Sequence, residues 1–246
     1  IREIKKNNLS KEGIYYEHDD SNIMRGYALI IGPKDTPYEY GNFLFIFDFP
    51  EDYPHTPPSV KFCTNDGIVR FHPNLYRNGK VCLSILNTWK GEQWTGCQTI
   101  RTVLLTIASI LENNALLNEP GINENHKDVI NYDLIIRYKT IETAIFKLIN
   151  KNIYTIENFE VFDNIMENNF KENFENIINS LKKVNCDDHI TTNVYGLSIK
   201  INKNKLMNNL LNLLKKIEKI LFFNSIKRQC IFVIHAIICY ILNLQK

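Results

Sequence analysis

The chain has 246 residues, with 29 Lys and Arg against 27 Asp and Glu, giving a formal net charge of +2. This nearly balanced charge argues against nucleic acid or strongly acidic substrates, and the length allows one or two domains with a substantial core. The six cysteines show no Cys-x-x-Cys pair or regular spacing, which argues against zinc and secreted disulfides and favours a reducing compartment. The chain opens at Ile1 without methionine or signal peptide, which we interpret as a trimmed chain or a fragment.

The first part of the chain predicts a helix followed by four strands. Apolar and charged residues recur at helical spacing over residues 1–8, and Gly13 marks the end of that segment. Four later segments are rich in the β-branched and aromatic residues of strands and are bounded by turn formers: residues 14–17, 25–31, 43–49 and 59–63. Their order predicts an antiparallel meander within an α+β fold.

The next stretch, residues 71–84, predicts a stiff irregular loop. Pro73 fixes its own φ, and the Asn-Gly pair at 78–79 is a strong turn former. Such a loop presents Cys82 beside Asn74. A thiol can attack a carbonyl, and a side-chain amide can donate a hydrogen bond to the oxyanion that forms. The pairing suits acyl transfer through a thioester.

Two other interpretations of this loop stay open at this point. A lone cysteine is commonly a small buried hydrophobe, which gives Cys82 a purely structural role. A pair formed by His72 and Cys82 points instead to a cysteine hydrolase, although nothing else in the sequence resembles a hydrolase motif.

Helices dominate the predictions beyond the loop. Thr99 is a candidate N-cap for a helix over residues 100–111, and residues 127–149 form a longer helix whose apolar stripe includes Ile130. The later segments are one or two helices over 158–184, a polar loop over 185–196 and a helix over 206–221. We therefore divide the chain into a core domain, residues 1–151, and a helical C-terminal extension, residues 152–246.

Taken together, these motifs resemble the ubiquitin-conjugating enzyme family over residues 1–149. The matching motifs, in order, are Gly32-Pro33 with residues 35–39 and Gly41, the proline-rich run 53–58, His72-Pro73-Asn74 with Cys82-Leu83, and Trp94. Residues 74–86 followed by Thr88-Trp89, together with residues 118–121, are similar to the Z-type subgroup, whose members carry a C-terminal extension. The resemblance implies the fold of that family, a four-stranded antiparallel meander flanked by helices, with a helical C-terminal extension.

The resemblance also implies a mechanism. Cys82 takes ubiquitin from an activating enzyme as a thioester and passes it to a substrate lysine or to a ligase cysteine. Asn74 donates to the oxyanion or braces the loop, and His72 has a structural role in the loop. Glu119, with Asn118 next, is the candidate that orients and deprotonates the lysine, the alternative being a solvated turn carboxylate. No metal or organic cofactor is implied, because ATP is consumed by the activating enzyme.

The implied partners are ubiquitin or a ubiquitin-like modifier, the activating enzyme, ubiquitin ligases and protein substrates, and they do not include nucleic acid. The rival functions are an inactive scaffold, which would lack the catalytic cysteine, and an enzyme for another modifier. The expected location is the cytoplasm, with the nucleus as a second location. An apolar run over 230–242 leaves a membrane tail as an alternative, although it is shorter than the roughly 20 residues of a membrane span. We expect the 206–221 helix to pack on the core domain and to help select the activating enzyme or modifier.

Overall fold

The structure, a computed structural model, describes residues 9–153, 158–186 and 188–220. A four-stranded antiparallel sheet is formed by β1 (Ile14–His18), β2 (Arg25–Ile31), β3 (Asn42–Asp48) and β4 (Ser59–Phe62), in the order β1-β2-β3-β4. The sequence-based meander is therefore confirmed, with strand bounds within one residue of the prediction. The helix predicted over 1–8 lies outside the described residues, and Gly13 has a φ of +72° where β1 begins.

The two central strands are buried on both faces, which explains why β2 and β3 are largely apolar instead of alternating. Phe45 packs with Phe62 on one face, with ring centroids 5.4 Å apart. On the opposite face Tyr27 meets Phe159 of the extension at 5.3 Å, edge to face. Residues beyond the core domain thus complete the covering of the sheet.

Two helical segments follow the loop. The helix α1 (Ile100–Ile110) begins at Thr99, whose side chain accepts a hydrogen bond from the backbone N–H of Thr102, as the N-cap prediction requires. The helix α2 (Asp128–Lys139) continues into a π-helical segment, Thr140–Lys147. The prediction that Ile130 is buried is wrong, because its side chain is 74% exposed. The prediction assumes the α-helical period over all of residues 127–149. The wider turns of the π-helical segment change which side chains share a face, so the apolar positions on its two sides do not form one continuous stripe.

The beginning of the extension contains two helices and a hairpin. The helices are α3 (Asp163–Glu172) and α4 (Phe174–Lys182), which separate at Asn173. The strands β5 (His189–Thr192) and β6 (Leu197–Lys200) pair antiparallel. The polar loop predicted over 185–196 is therefore wrong, since two thirds of its residues belong to this hairpin or to its turn. Strands of four residues with alternating polar side chains are too short to stand out as a pattern.

The chain divides into two compact units, Ile1–Lys203 and Asn204–Lys246. Residues 203–220 are helical, in agreement with the helix predicted over 206–221. The apolar stripe of this helix is buried at Leu206, Leu210, Leu213 and Ile217. Among the described residues no helix is both long and apolar enough to cross a bilayer, and the apolar run over 230–242 lies outside them. The division into domains at residue 151 stays a prediction.

Candidate active site

The loop that carries Cys82 is held by its own backbone. Tyr76 N–H donates to the carbonyl of Lys80 and Gly79 N–H donates to the carbonyl of Tyr76, both at 2.9 Å. Gly79 has a φ of +89°, and a Cβ at this position would lie 2.8 Å from the carbonyl oxygen of Phe62. The Asn-Gly turn predicted at 78–79 therefore closes a tight hairpin-like loop next to β4.

Asn74 and Cys82 lie side by side and are joined by two hydrogen bonds. The N–H of Cys82 donates to the carbonyl of Asn74 at 2.9 Å, and Nδ2 of Asn74 donates to the carbonyl of Cys82 at 2.6 Å. The structure thus brings together the thiol residue and the amide residue that the sequence paired. The Asn74 amide has a second N–H, so it can donate to another acceptor without releasing Cys82.

His72 holds the backbone of Asn74 through a hydrogen bond. Its ring is fully buried, and Nδ1 accepts a hydrogen bond from Asn74 N–H at 3.0 Å. Burial, together with the positive charge of Arg70, lowers the pKa of His72 to about 3, so the ring is neutral near pH 7. A neutral imidazole that contacts Asn74 fits the structural role expected for His72 and offers no support to a Cys–His hydrolase pair.

Side chains after Cys82 fix the rest of the loop. The hydroxyl of Thr88 accepts from Leu83 N–H and is within 2.9 Å of the carbonyl of Val81. The indole N–H of Trp94 donates to the carbonyl of Pro54 at 2.8 Å, which ties this segment to the proline-rich run. Only 2% of the Cys82 surface is exposed. A groove of 610 Å³ lies next to it in the sequence and is lined by residues 56–61, 78–81 and 86–88.

Glu119 lies beyond the 71–84 loop in the sequence and contacts the extension. Its carboxylate accepts a hydrogen bond from the hydroxyl of Tyr195, which belongs to the turn between β5 and β6. Burial and the Glu119 carboxylate raise the pKa of Tyr195 well above its usual range, so this hydroxyl keeps its proton and remains a donor. The side-chain hydrogen bonds of the described residues do not join Glu119 to Asn74, His72 or Cys82.

Comparison with known proteins identifies the family. The family model for ubiquitin-conjugating enzymes matches residues 1–141. The chain belongs to the ubiquitin-conjugating enzyme family. Among the described residues no cluster of three His, Cys, Asp or Glu side chains is arranged to hold a metal ion.

Relatives within the family include ubiquitin-conjugating enzyme E2 Z from two vertebrates. The Xenopus tropicalis protein is 42% identical over 166 residues, which cover 66% of this chain and 52% of that protein. The Homo sapiens protein is 49% identical over 136 residues, covering 54% and 38% respectively. The chain thus spans about half the length of these relatives or less. A solved Toxoplasma gondii ubiquitin-conjugating enzyme domain is 33% identical, with a TM-score of 0.45 over 58% of this chain and 97% of that one.

Three residues at the site were not singled out from the sequence. These are Arg70, Tyr76 and Tyr195: the guanidinium carbon of Arg70 lies 3.7 Å from the ring centroid of Tyr76 and 4.6 Å from that of Tyr195. The sequence signal for this contact was weak, because Tyr195 is a single aromatic residue in the segment 185–196, which the sequence predicts to be a polar loop. Contacts between residues more than one hundred positions apart leave no local pattern, and only the folded chain reveals them.

The described cysteines differ in their accessibility, which gives a direct test of the burial of Cys63 at the end of β4. Burial raises the pKa of Cys63 to about 11, whereas Cys97 is exposed. At pH 8 only about one Cys63 thiol in a thousand is ionised, and the thiolate is the reactive form. We expect iodoacetamide to label Cys97 well before Cys63, as measured by peptide mass spectrometry of the folded protein. Equal labelling rates would contradict the buried position of Cys63, and labelling in urea provides the control.

Proposed function

We propose that the chain is an active ubiquitin-conjugating enzyme whose nucleophile is Cys82. The observation that carries the proposal is the doubly hydrogen-bonded pair of Asn74 and Cys82 in a loop braced by His72. A thiol held next to an amide donor is suited to attack a carbonyl and to stabilise the oxyanion that results. Family membership supplies the substrate class, a ubiquitin thioester.

In the first step the thiolate of Cys82 attacks the thioester carbonyl of ubiquitin's C-terminal glycine on the activating enzyme. A new sulfur–carbon bond forms, and the cysteine thiolate of the activating enzyme leaves. The activating enzyme consumes the ATP, so this chain needs no cofactor of its own. Because 2% of Cys82 is exposed, neighbouring side chains must move when the partner thioester approaches.

In the second step a neutral lysine amine attacks the Cys82 thioester. The tetrahedral oxyanion accepts a hydrogen bond from the Asn74 amide, and it collapses to an isopeptide bond as the Cys82 thiolate leaves. The amine must lose a proton during this step, and Glu119 is the carboxylate that we propose as its acceptor. Transfer to a ligase cysteine follows the same addition and collapse, with the ligase thiolate as the nucleophile in place of the amine.

A charging assay tests the proposal. The protein is incubated with ubiquitin, ATP and a panel of activating enzymes, and the products are separated on a non-reducing gel. We expect a band heavier by one ubiquitin that thiols remove, that is absent from Cys82→Ala, and that becomes thiol-resistant in Cys82→Ser because an oxyester replaces the thioester. Cys97→Ser, which changes an exposed cysteine, serves as the matched control and should charge normally.

The same assay separates the rival functions. Charging with a ubiquitin-like modifier but not with ubiquitin would make the chain an enzyme for that modifier. If no activating enzyme charges it with any modifier, the proposal fails and the scaffold function takes its place. We further propose the cytoplasm as its location, because thioester chemistry requires a reduced thiol and the four described cysteines are all free.

A further inference from the structure

The turn between β5 and β6, residues 193–196, is fixed to the core by a buried carboxylate. One oxygen of Asp128, a residue that is 4% exposed, accepts hydrogen bonds from the N–H groups of both Asn193 and Val194 at 2.8 Å. The side chain of Asn131 adds a hydrogen bond to the carbonyl of Thr191 at 3.1 Å. These contacts hold the turn against the first residues of α2.

Within this turn Tyr195 adopts a left-handed backbone conformation, with φ 62° and ψ 2°. A tyrosine rarely takes this conformation, and it persists where surrounding contacts determine it. Its carbonyl accepts a hydrogen bond from the guanidinium of Arg77 at 2.9 Å, and its ring packs 6.0 Å from that of Tyr132. Both the backbone and the side chain of Tyr195 therefore contact residues of the core domain.

The hydroxyl of Tyr195 contacts Glu119, and its ring contacts Arg70. The hydroxyl donates to Oε2 of Glu119, and in the described part of the chain Oε1 has no hydrogen-bond partner. The ring contacts the Arg70 guanidinium, which also lies over the ring of Tyr76. Arg70 in turn donates to the carbonyl of Pro73. One side chain of the extension thus contacts Glu119 directly and, through Arg70, the loop that holds Asn74.

We infer that Tyr195 is a positioning residue for the transfer of ubiquitin from Cys82 to lysine. Its hydroxyl orients the Glu119 carboxylate and leaves Oε1 for the incoming amine. Its ring holds Arg70 against the loop. The inference rests on the proposed function and deepens it, because it makes the extension a part of the acceptor side of the active site.

The test is single-turnover discharge of the pre-charged protein to free lysine, over a range of lysine concentrations. Tyr195→Phe keeps the ring over Arg70 and removes the hydroxyl, so we expect the maximal discharge rate to fall about tenfold. Tyr195→Leu removes both contacts and should be slower still. Tyr27→Phe removes another hydroxyl that donates to a carboxylate, that of Asp19 at 3.0 Å, and should discharge at the wild-type rate.

A double-mutant cycle separates positioning from a loss of structure. If Tyr195 acts through Glu119, then Tyr195→Phe should have no further effect on discharge in a Glu119→Ala background. Independent, additive effects of the two substitutions would overturn the inference, as would wild-type discharge by Tyr195→Phe. The charging gel distinguishes these outcomes from a failure of the proposed function, because in that case the wild-type protein would not acquire ubiquitin at all.

Discussion

Replacing Asn74 with alanine is expected to slow discharge of ubiquitin from Cys82 to lysine by about 100- to 1000-fold, the usual effect of losing one oxyanion donor. The amide Nδ2 of Asn74 already lies 2.6 Å from the carbonyl of Cys82, so its second N–H is held close to the reacting centre. The measurement is the rate constant for single-turnover discharge to free lysine at saturating lysine.

Asn78→Ala is the matched control, because Asn78 lies in the same loop but its side chain contacts the backbone N–H of Lys80, at 3.0 Å. Discharge by this variant should remain close to the wild-type rate. Asn74→Asp keeps the size of the side chain but replaces the donor with a second acceptor, and it should be as slow as Asn74→Ala. If Asn74→Asp discharges like the wild type, Asn74 supplies no hydrogen bond to the oxyanion.

The unfolding midpoint of each variant distinguishes chemistry from loop support. Loss of the side-chain hydrogen bond from Asn74 to the carbonyl of Cys82 also loosens the Cys82 backbone, which would slow charging and discharge together. A selective loss of discharge in a protein that melts and charges normally assigns the effect to the transfer step.

The parts of the molecule that the sequence could predict are those encoded in short stretches. The strand bounds follow from runs such as 43–49 and from the turn formers around them, and the Asn74–Cys82 pair follows from the rigid residues between them. The hairpin around Tyr195 could not be predicted, because its strands are short and polar and are stabilised by contacts with α2 such as that of Asn131 with Thr191. Likewise the contact between Tyr195 and Glu119 joins residues 76 positions apart.

A buried ion pair within the core domain also contacts the extension, and breaking it should have the largest effect on stability. Arg137 of α2 donates to Glu39 at 2.6 Å and to the hydroxyl of Ser180 in α4 at 2.9 Å. The side chains of Arg137 and Glu39 are 12% and 5% exposed. We expect Arg137→Met to lower the free energy of unfolding by about 3–5 kcal/mol at pH 7, because it leaves a buried carboxylate without its main partner.

Lys183→Met provides the control for this prediction. Lys183 contacts the same Glu39 oxygen at 3.2 Å, but its side chain is 53% exposed, so its loss should cost less than about 1 kcal/mol. The double variant Glu39→Met with Arg137→Met removes both charges and should recover most of the lost stability in urea denaturation. A double variant as unstable as the sum of its single variants would show that the pair contributes through packing and not through charge.

The dependence of this effect on pH follows from Glu39. Burial alone raises the pKa of Glu39, but hydrogen bonds from Ser180 and Lys183 and the charge of Arg137 outweigh it and place the pKa below its usual range. A depressed carboxyl pKa stabilises the fold above the unfolded-state value of about 4.3, and this stability is lost as the pH falls through the folded-state value. The difference between wild type and Arg137→Met should therefore be full at pH 7 and shrink in acid, when Glu39 is protonated in both proteins. If the difference in unfolding free energy stays constant from pH 7 into acid, Arg137 stabilises the contact between α2 and α4 through Ser180 and packing, independently of the Glu39 charge.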